Sequence, residues 1–281
     1  MKRLLLCTDL DRTLLPNGSE LESTQARKKF HQLIKHPQVT LVYVTGRHQQ
    51  LVERAIEEYQ LPQADYVIAD VGSTIYEITG KDWCYLNAWE KVFNRDWQGK
   101  SANELQGLLG DITDIQLQES SKQNTHKLSY YVPLNINYKQ ILSTMKNRLK
   151  LQSIAANLIW SVDQQANTGL LDVLPVSAGK RQAIEFLMQQ LSFDYSETVF
   201  AGDSGNDICV MSSPIQSVLV ANAENDVRDE AIKQAHANHQ DETLYLARGN
   251  FMGMNGNYSA GILEGIAHYM PQAKHWFEGE V

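Results

Sequence analysis

Residues 3–13 read Arg3-Leu4-Leu5-Leu6-Cys7-Thr8-Asp9-Leu10-Asp11-Arg12-Thr13. The apolar run ahead of Asp9 reads as a strand buried on both faces. Asp9 and Asp11 then set two carboxylates just beyond its C-terminal end. In an open parallel sheet, ligands bind at that edge. On its own, Asp-x-Asp after a strand is also a common turn or helix cap, so the rest of the chain has to decide between the two.

The same rhythm recurs along the chain. Helical periodicity over residues 22–36 places Ala26, Phe30, Leu33 and Ile34 on one face, with Pro37 just beyond. Val39–Val44 is a second continuous apolar strand, closed by Thr45-Gly46. A helix over about 48–59 carries Leu51, Ala55, Ile56 and Tyr59 on one stripe, and Tyr66–Ala69 is a third strand. From Leu170 the alternation returns. Strands are expected at 171–174, 198–201 and 218–220, and helices at 178–191, 224–235 and 260–269. The glycine-rich stretch 249–261 reads as a loop. Between these halves, residues 83–168 hold four of the five tryptophans, expected to form a small core of their own, and are richer in Asn, Gln and Ser. Strands there alternate (127–133, 158–163), with helices at 103–109 and 136–149. The expected fold class is α/β. A Rossmann-like parallel sheet core is built from residues 1–82 and 169–281, with an inserted α+β cap domain at 83–168.

Composition narrows the function classes. The 281 residues are 43% hydrophobic and 21% charged, which is globular rather than disordered. A net charge of −8 without a Lys/Arg cluster argues against nucleic acid as a partner. It suits an acidic site that needs a divalent cation. Three cysteines with no metal-type spacing fit a reducing, cytoplasmic setting. The apolar start stops at Asp9, too early for a signal peptide, and no run is long enough for a membrane span.

Four fragments place polar groups at the C-terminal ends of expected strands. They are Asp9–Thr13, Thr45-Gly46-Arg47, Lys180, and Gly202-Asp203-Ser204-Gly205-Asn206-Asp207. Several carboxylates at one sheet edge repel one another unless a metal neutralises them. Oxygen ligands favour Mg²⁺, whose shell accommodates water and a phosphate. A threonine hydroxyl, backbone N–H groups and a lysine supply what a phosphoryl group needs.

In this order the four fragments resemble the motifs of the haloacid dehalogenase superfamily of phosphohydrolases. Asp11 and Thr45 are only 34 positions apart, but Thr45 and Lys180 are 135 apart, so the insert falls in the second interval. That placement resembles the C2-type cap of sugar phosphatases. The stretches LLCTDLDRTLL, THKLSYYV, LDVLPVSAGKRQAI, FAGDSGNDICVM, VANAENDV and SAGILEGIAHY are similar to the sucrose-phosphate phosphatase family and span nearly the whole chain.

The resemblance implies an enzyme, a phosphoric monoester hydrolase that releases phosphate from a sugar phosphate, with sucrose 6-phosphate first. Mannosylfructose-phosphate and mannosyl-phosphoglycerate phosphatases are rivals, as is a non-catalytic phosphatase-like partner of a sugar-phosphate synthase. It implies Asp9 as nucleophile and Asp11 as general acid, then base. Mg²⁺ would be held by Asp9, Asp203 and the Asp11 main-chain carbonyl. Thr45, Gly46 and Lys180 would bind phosphate, with Asp207 and Ser204 in support. Arg12 stands where the wider superfamily often has glycine, and its role is open. Lys127, Ser129 and Tyr131 share one face of a cap strand and are candidates to read the sugar, with His126, Arg47, Asn206 and Asn222 beside them. Whether a sucrose-phosphate synthase binds the chain is also left open.

Overall fold

In the computed structural model, which describes residues 3–163 and 166–278, the apolar run before Asp9 is fully buried. The elements of the first unit are β1 (Leu4–Thr8), α1 (Ala26–Ile34), β2 (Val39–Val44), α2 (Gln49–Glu58) and β3 (Tyr66–Ala69), then β4 (Thr74–Thr79), β5 (Asp82–Tyr85) and α3 (Asn87–Phe93). A second unit follows with α4 (Ala102–Leu109), β6 (Gln116–Leu117), β7 (Leu128–Val132), α5 (Tyr138–Leu151), β8 (Ala156–Asp163) and β9 (Thr168–Pro175). The first unit resumes as α6 (Lys180–Leu191), β10 (Thr198–Gly202), α7 (Ile208–Met211), β11 (Gln216–Leu219), α8 (Asn225–Ala237), β12 (Leu244–Leu246), α9 (Ser259–Tyr269) and α10 (His275–Glu278).

The first unit is one sheet of order β12-β11-β10-β1-β2-β3-β4-β5. The six strands from β12 to β3 are parallel, and β4 and β5 run antiparallel. Along β1, Leu4 and Leu6 face one apolar cluster while Leu5 and Cys7 face the other. Phe30 of α1, Val52 of α2 and Ile262 of α9 fill the first cluster. Trp89 of α3, Ile184 of α6 and Met211 of α7 fill the second. A strand covered on both sides has no polar alternation to show, which is why β1 reads as an unbroken apolar run. The strand order reverses at β1, with β2 on one side and β10 on the other. The crevice above this switch point is where the loops after β1 and β10 part.

The second unit is an antiparallel sheet of order β6-β7-β9-β8 with α4 and α5 on one face. Leu105 and Leu109 of α4 and Ile141, Met145 and Leu149 of α5 pack on Leu128, Tyr130, Val132, Leu171 and Val173. Both boundaries read from sequence shift. Trp83 and Cys84 lie on β5 in the core sheet, and Trp89 packs in the core, so of the four tryptophans only Trp97 and Trp160 belong to the cap cluster. The β4–β5 hairpin escapes a periodicity reading because its strands are mostly half-exposed. Residues 171–174, expected in the core sheet, lie on β9 at the centre of the cap sheet. That strand reads as a core strand because it spans the junction: Leu171 and Val173 pack in the cap, Leu174 in the core. Among the described residues, no helix is long and apolar enough to cross a membrane.

Gly169 on β9 carries the Trp160 indole, which stacks on Tyr138 at 4.3 Å between ring centroids. A Cβ at Gly169 would lie 2.0 Å from the indole. Gly169→Ala must therefore push the ring off Tyr138, a strain of about 1–3 kcal/mol. We expect a melting temperature lower by several degrees and an altered tryptophan emission spectrum. An unchanged melt would show that the indole repacks freely.

Candidate active site

The site is assembled by main-chain contacts before any side chain is considered. Asp9 N–H donates to Ala201 O at 2.9 Å, extending the β1–β10 ladder past the end of β1. Thr45 N–H donates to Ile68 O, and Val71 and Asp70 N–H donate back to Thr45 O and Arg47 O. Asp70 and Val71 are both left-handed, at φ 53° and 60°. Such a backbone is uncommon for Asp and an outlier for a β-branched residue. Gly72 follows at φ 98°, and a Cβ there would lie 2.1 Å from Gly179 C. Only glycine lets the loop after β3 run against the start of α6, and this contact seats Lys180.

Lys180 is fully buried. Its Nζ donates to Asp207 Oδ1 and Asn206 Oδ1, both at 2.7 Å, and lies 3.1 Å from Asp9 Oδ1. An ammonium has three protons, and three acceptors surround it. Asp207 is also fully buried, and its Oδ2 accepts from the N–H groups of Asp203 and Ser204 at 3.1 Å each. The Ser204 hydroxyl bonds Asn206 Oδ1 and Asp207 Oδ2 at 3.2 and 3.3 Å. Asp203 Oδ1 accepts from the buried Thr13 hydroxyl at 3.0 Å. Carboxylate oxygens of Asp9, Asp203 and Asp207 all lie within 4.8 Å of one another. Among the described residues, no other group of three His, Cys, Asp or Glu side chains is so placed. The donor set is all oxygen, and three buried carboxylates outnumber the one enclosed lysine. These residues fit a hard divalent cation such as Mg²⁺. Asp207 is committed to Lys180 and the backbone, so Asp9 and Asp203 are the ones left to hold the ion.

The charges bear on one another as that crowding requires. Burial pushes the Asp9 carboxyl up to about 7, with Lys180 opposing and Asp207 and Asp11 reinforcing. Burial and the charges of Asp9 and Asp207 drive Asp203 well up as well. Burial would lower Lys180, but Asp207 and Asp9 outweigh it and keep the ammonium protonated. Asp11 behaves in the opposite way. Burial would raise it, yet two Arg47 bonds at 2.8 and 2.6 Å and one from Asn17 at 2.7 Å hold it below the ordinary carboxylate range. In this arrangement Asp11 is an ionised, chelated group.

The sugar-reading candidates separate. Arg47 and Asn206 stand at the site, and Thr45 and Gly46 line the turn after β2 beside them. Ser129 is fully buried, and its hydroxyl donates to Asp172. The Tyr131 hydroxyl donates to Glu119 and accepts from Lys122. Lys127 Nζ donates to Lys122 O at 2.9 Å. Segment 119–123 therefore roofs the polar face of β7, and Ser129 has an internal role in place of the expected contact with a sugar. Asn222 is internal too, bonded to Arg12 O and Tyr258 N–H. His126 packs on Phe93 and Trp97, its imidazole pushed down by burial. Asp70 was not singled out by sequence. Its buried carboxylate accepts from Thr74 at 3.1 Å and from Asn124 of the cap, and feels the Lys127 charge. Its only local signal is its place at the end of β3. The cap reaches the site directly: a Cβ at Gly205 would lie 3.1 Å from Trp160 O on β8.

Residues 2–270 match the model of the sucrose-6F-phosphate phosphohydrolase family. A chain described only as a HAD-like hydrolase, from Nitrosococcus oceani, is 50% identical over 99% of this chain and 74% of its own length. Sucrose-phosphatase 2 of Nicotiana tabacum is 28% identical over 95% of this chain, which spans only 59% of the tobacco protein. The sucrose-phosphatase of Synechocystis, solved with sucrose and phosphate, superposes with a TM-score of 0.77 at 26% identity, covering 96% of this chain and 98% of that one. With the motif order, the sheet and the inserted cap all in agreement, the chain belongs to the sucrose-6F-phosphate phosphohydrolase family, phosphoric monoester hydrolases of the haloacid dehalogenase superfamily.

Proposed function

We propose that the chain is a Mg²⁺-dependent phosphatase that hydrolyses a disaccharide monophosphate, sucrose 6-phosphate first among them, through an aspartyl-phosphate on Asp9. The observation that carries this is the buried Lys180 between Asp9 and Asp207, with Asp203 within reach and the cap strand β8 against Gly205 in the same loop. Asp9 attacks phosphorus in line while the bond to the sugar oxygen breaks. That oxygen leaves with the electron pair and takes a proton from Asp11. Water then attacks the phosphoryl group, Asp11 accepts its proton, and Asp9 is regenerated. Bound at Asp9, Asp203 and the Asp11 main-chain carbonyl, Mg²⁺ would neutralise the carboxylates and the phosphate. Lys180, Thr45 and the Gly46 N–H stabilise charge on the phosphoryl oxygens. Asp207 orients Lys180, with Ser204 in support.

Arg47 adds a condition. While it chelates Asp11, that carboxyl is a poor acid. A substrate phosphate dianion competes for the same guanidinium, and drawing Arg47 away lets Asp11 hold its proton. Asn206 remains a polar group proposed to meet the sugar, and so does Lys127, which is enclosed under segment 119–123 but whose charge reaches Asp70 at the edge of the core. Cys7, Cys84 and Cys209 are all unpaired, which supports the cytoplasmic reading. An enzyme that phosphorylates or condenses the sugar is the partner this substrate implies.

Phosphate release from sucrose 6-phosphate, mannosylfructose phosphate, glucose 6-phosphate and p-nitrophenyl phosphate tests the proposal. We expect sucrose 6-phosphate to give the highest kcat/KM. Asp9→Asn should lose all but a trace of turnover on every substrate while melting near the wild type, and retained activity would remove Asp9 as nucleophile.

Chelator should abolish turnover and expose carboxylate repulsion. The folded-state Asp9 value of about 7 lies above the ordinary 3.8, so between these pH values the unfolded chain binds fewer protons than the folded one. Stability of the metal-free protein should accordingly fall as pH rises from about 4 to 7, and saturating Mg²⁺ should flatten that slope. A flat profile in chelator would contradict the burial of uncompensated charge.

Lys127→Ala should lower kcat/KM for sucrose 6-phosphate about tenfold, the loss of a charged hydrogen bond, and spare p-nitrophenyl phosphate. Equal losses on both would assign Lys127 to the architecture of the cap. Ser129→Ala should cost stability alone.

A further inference from the structure

We propose that Arg12 is a positioning residue acting through Asp203, an internal counter-cation that competes with the divalent ion for that carboxylate and so sets how much of the ion the enzyme requires; this rests on reading Asp9 and Asp203 as a cation site. Arg12 is left-handed at φ 56°. Two side chains pin that pose: its N–H donates to Asn17 Oδ1 at 2.8 Å, and its carbonyl accepts from Asn222 Nδ2 at 2.6 Å. The guanidinium is directed at the loop after β11. Nη2 donates to Asn222 O at 3.1 Å and Glu224 Oε1 at 3.0 Å. Nε lies 3.5 Å from Asp203 Oδ2, is buried, and makes no hydrogen bond.

The guanidinium is therefore bonded to one carboxylate and faces another. Thr13 holds Asp203 Oδ1, and Arg12 stands against Oδ2. An arginine cannot shed its charge in a protein. Asp203 is buried, so a fixed positive charge beside it is weakly screened and repels any second cation brought to the same carboxylate. Glu224, about half exposed, draws the guanidinium the other way, and Glu20 also feels its charge. Where Arg12 stands, the apo site is partly compensated and the ion must displace that compensation.

The test is calorimetric titration of MgCl₂ into the chelator-stripped full chain, with melting temperatures in chelator and in excess Mg²⁺. Arg12→Gln removes the charge. We expect the Mg²⁺ Kd to fall about tenfold and the Mg²⁺-induced rise in melting temperature to grow, with a lower melt in chelator. Arg12→Lys, which keeps the charge, should bind closer to the wild type. Glu224→Gln frees the guanidinium to turn fully to Asp203 and should weaken Mg²⁺ severalfold. If Arg12 merely clamps the Asn222 loop, Arg12→Gln would lower both melts equally and bind Mg²⁺ no more tightly; that outcome overturns the proposal. Should Arg12→Gln fail to fold, unchanged or tighter binding by Glu224→Gln on the surface would overturn it alone. A wild type that takes up no Mg²⁺ would instead remove the cation site itself.

Discussion

The buried ammonium of Lys180 is the constraint around which the rest is arranged. A fully enclosed positive charge is tolerable only with fixed counter-charges and acceptors: Asp207 and Asp9 supply the charge, and the Asn206 amide oxygen the third acceptor. Lys180 and its partners arrive from three places in the chain: the start of α6, the end of β1 and the loop after β10. Each arrival is secured by backbone: Asp9 by the β1–β10 ladder, Asp207 by the Asp203 and Ser204 amides, Lys180 by the Gly72–Gly179 contact. Core packing, loop geometry and charge balance are thus one problem, and the two apolar clusters that bury β1 hold its solution in place.

The site has two electrostatic halves. In one, Asp9 and Asp203 are carboxylates whose charge is disfavoured by burial and by neighbouring acids, Asp207 among them in both cases. In the other, Asp11 is a carboxylate stabilised in its charged form by Arg47 and Asn17. Two residues apart in sequence, Asp9 and Asp11 differ because one points among acids and the other meets a guanidinium. Such a division suits a nucleophile and a proton carrier that must not exchange roles.

The parallel core was legible because strands covered on both faces leave unbroken apolar runs, as at β1 and β2. Three of the four polar fragments were legible because each follows a strand of that sheet; Lys180, at the start of α6, follows the cap strand β9 instead. What escaped reading depends on tertiary contact. The β4–β5 hairpin is half-exposed and carries weak periodicity. β9 looks like a core strand because its apolar residues serve both units. The polar alternation of Lys127, Ser129 and Tyr131 was visible, but not that segment 119–123 covers it. Asp70 gave no motif, since its importance comes from the left-handed turn and from the cap residues facing it. The Arg47–Asp11 chelate joins positions 36 apart, and no spacing rule would have paired them.

The approach of β8 to Gly205 has a consequence for the life of the protein. β8 is an outer strand of the cap sheet, and the loop that carries Asn206 and Asp207 lies against it. An unpaired strand margin is a template for other chains. Where Gly205 stands against Trp160 and Ser161, that loop covers part of the margin. The seam between core and cap thus also shields an edge on which another chain could pair, and a side chain at Gly205 would disturb the shield together with the site.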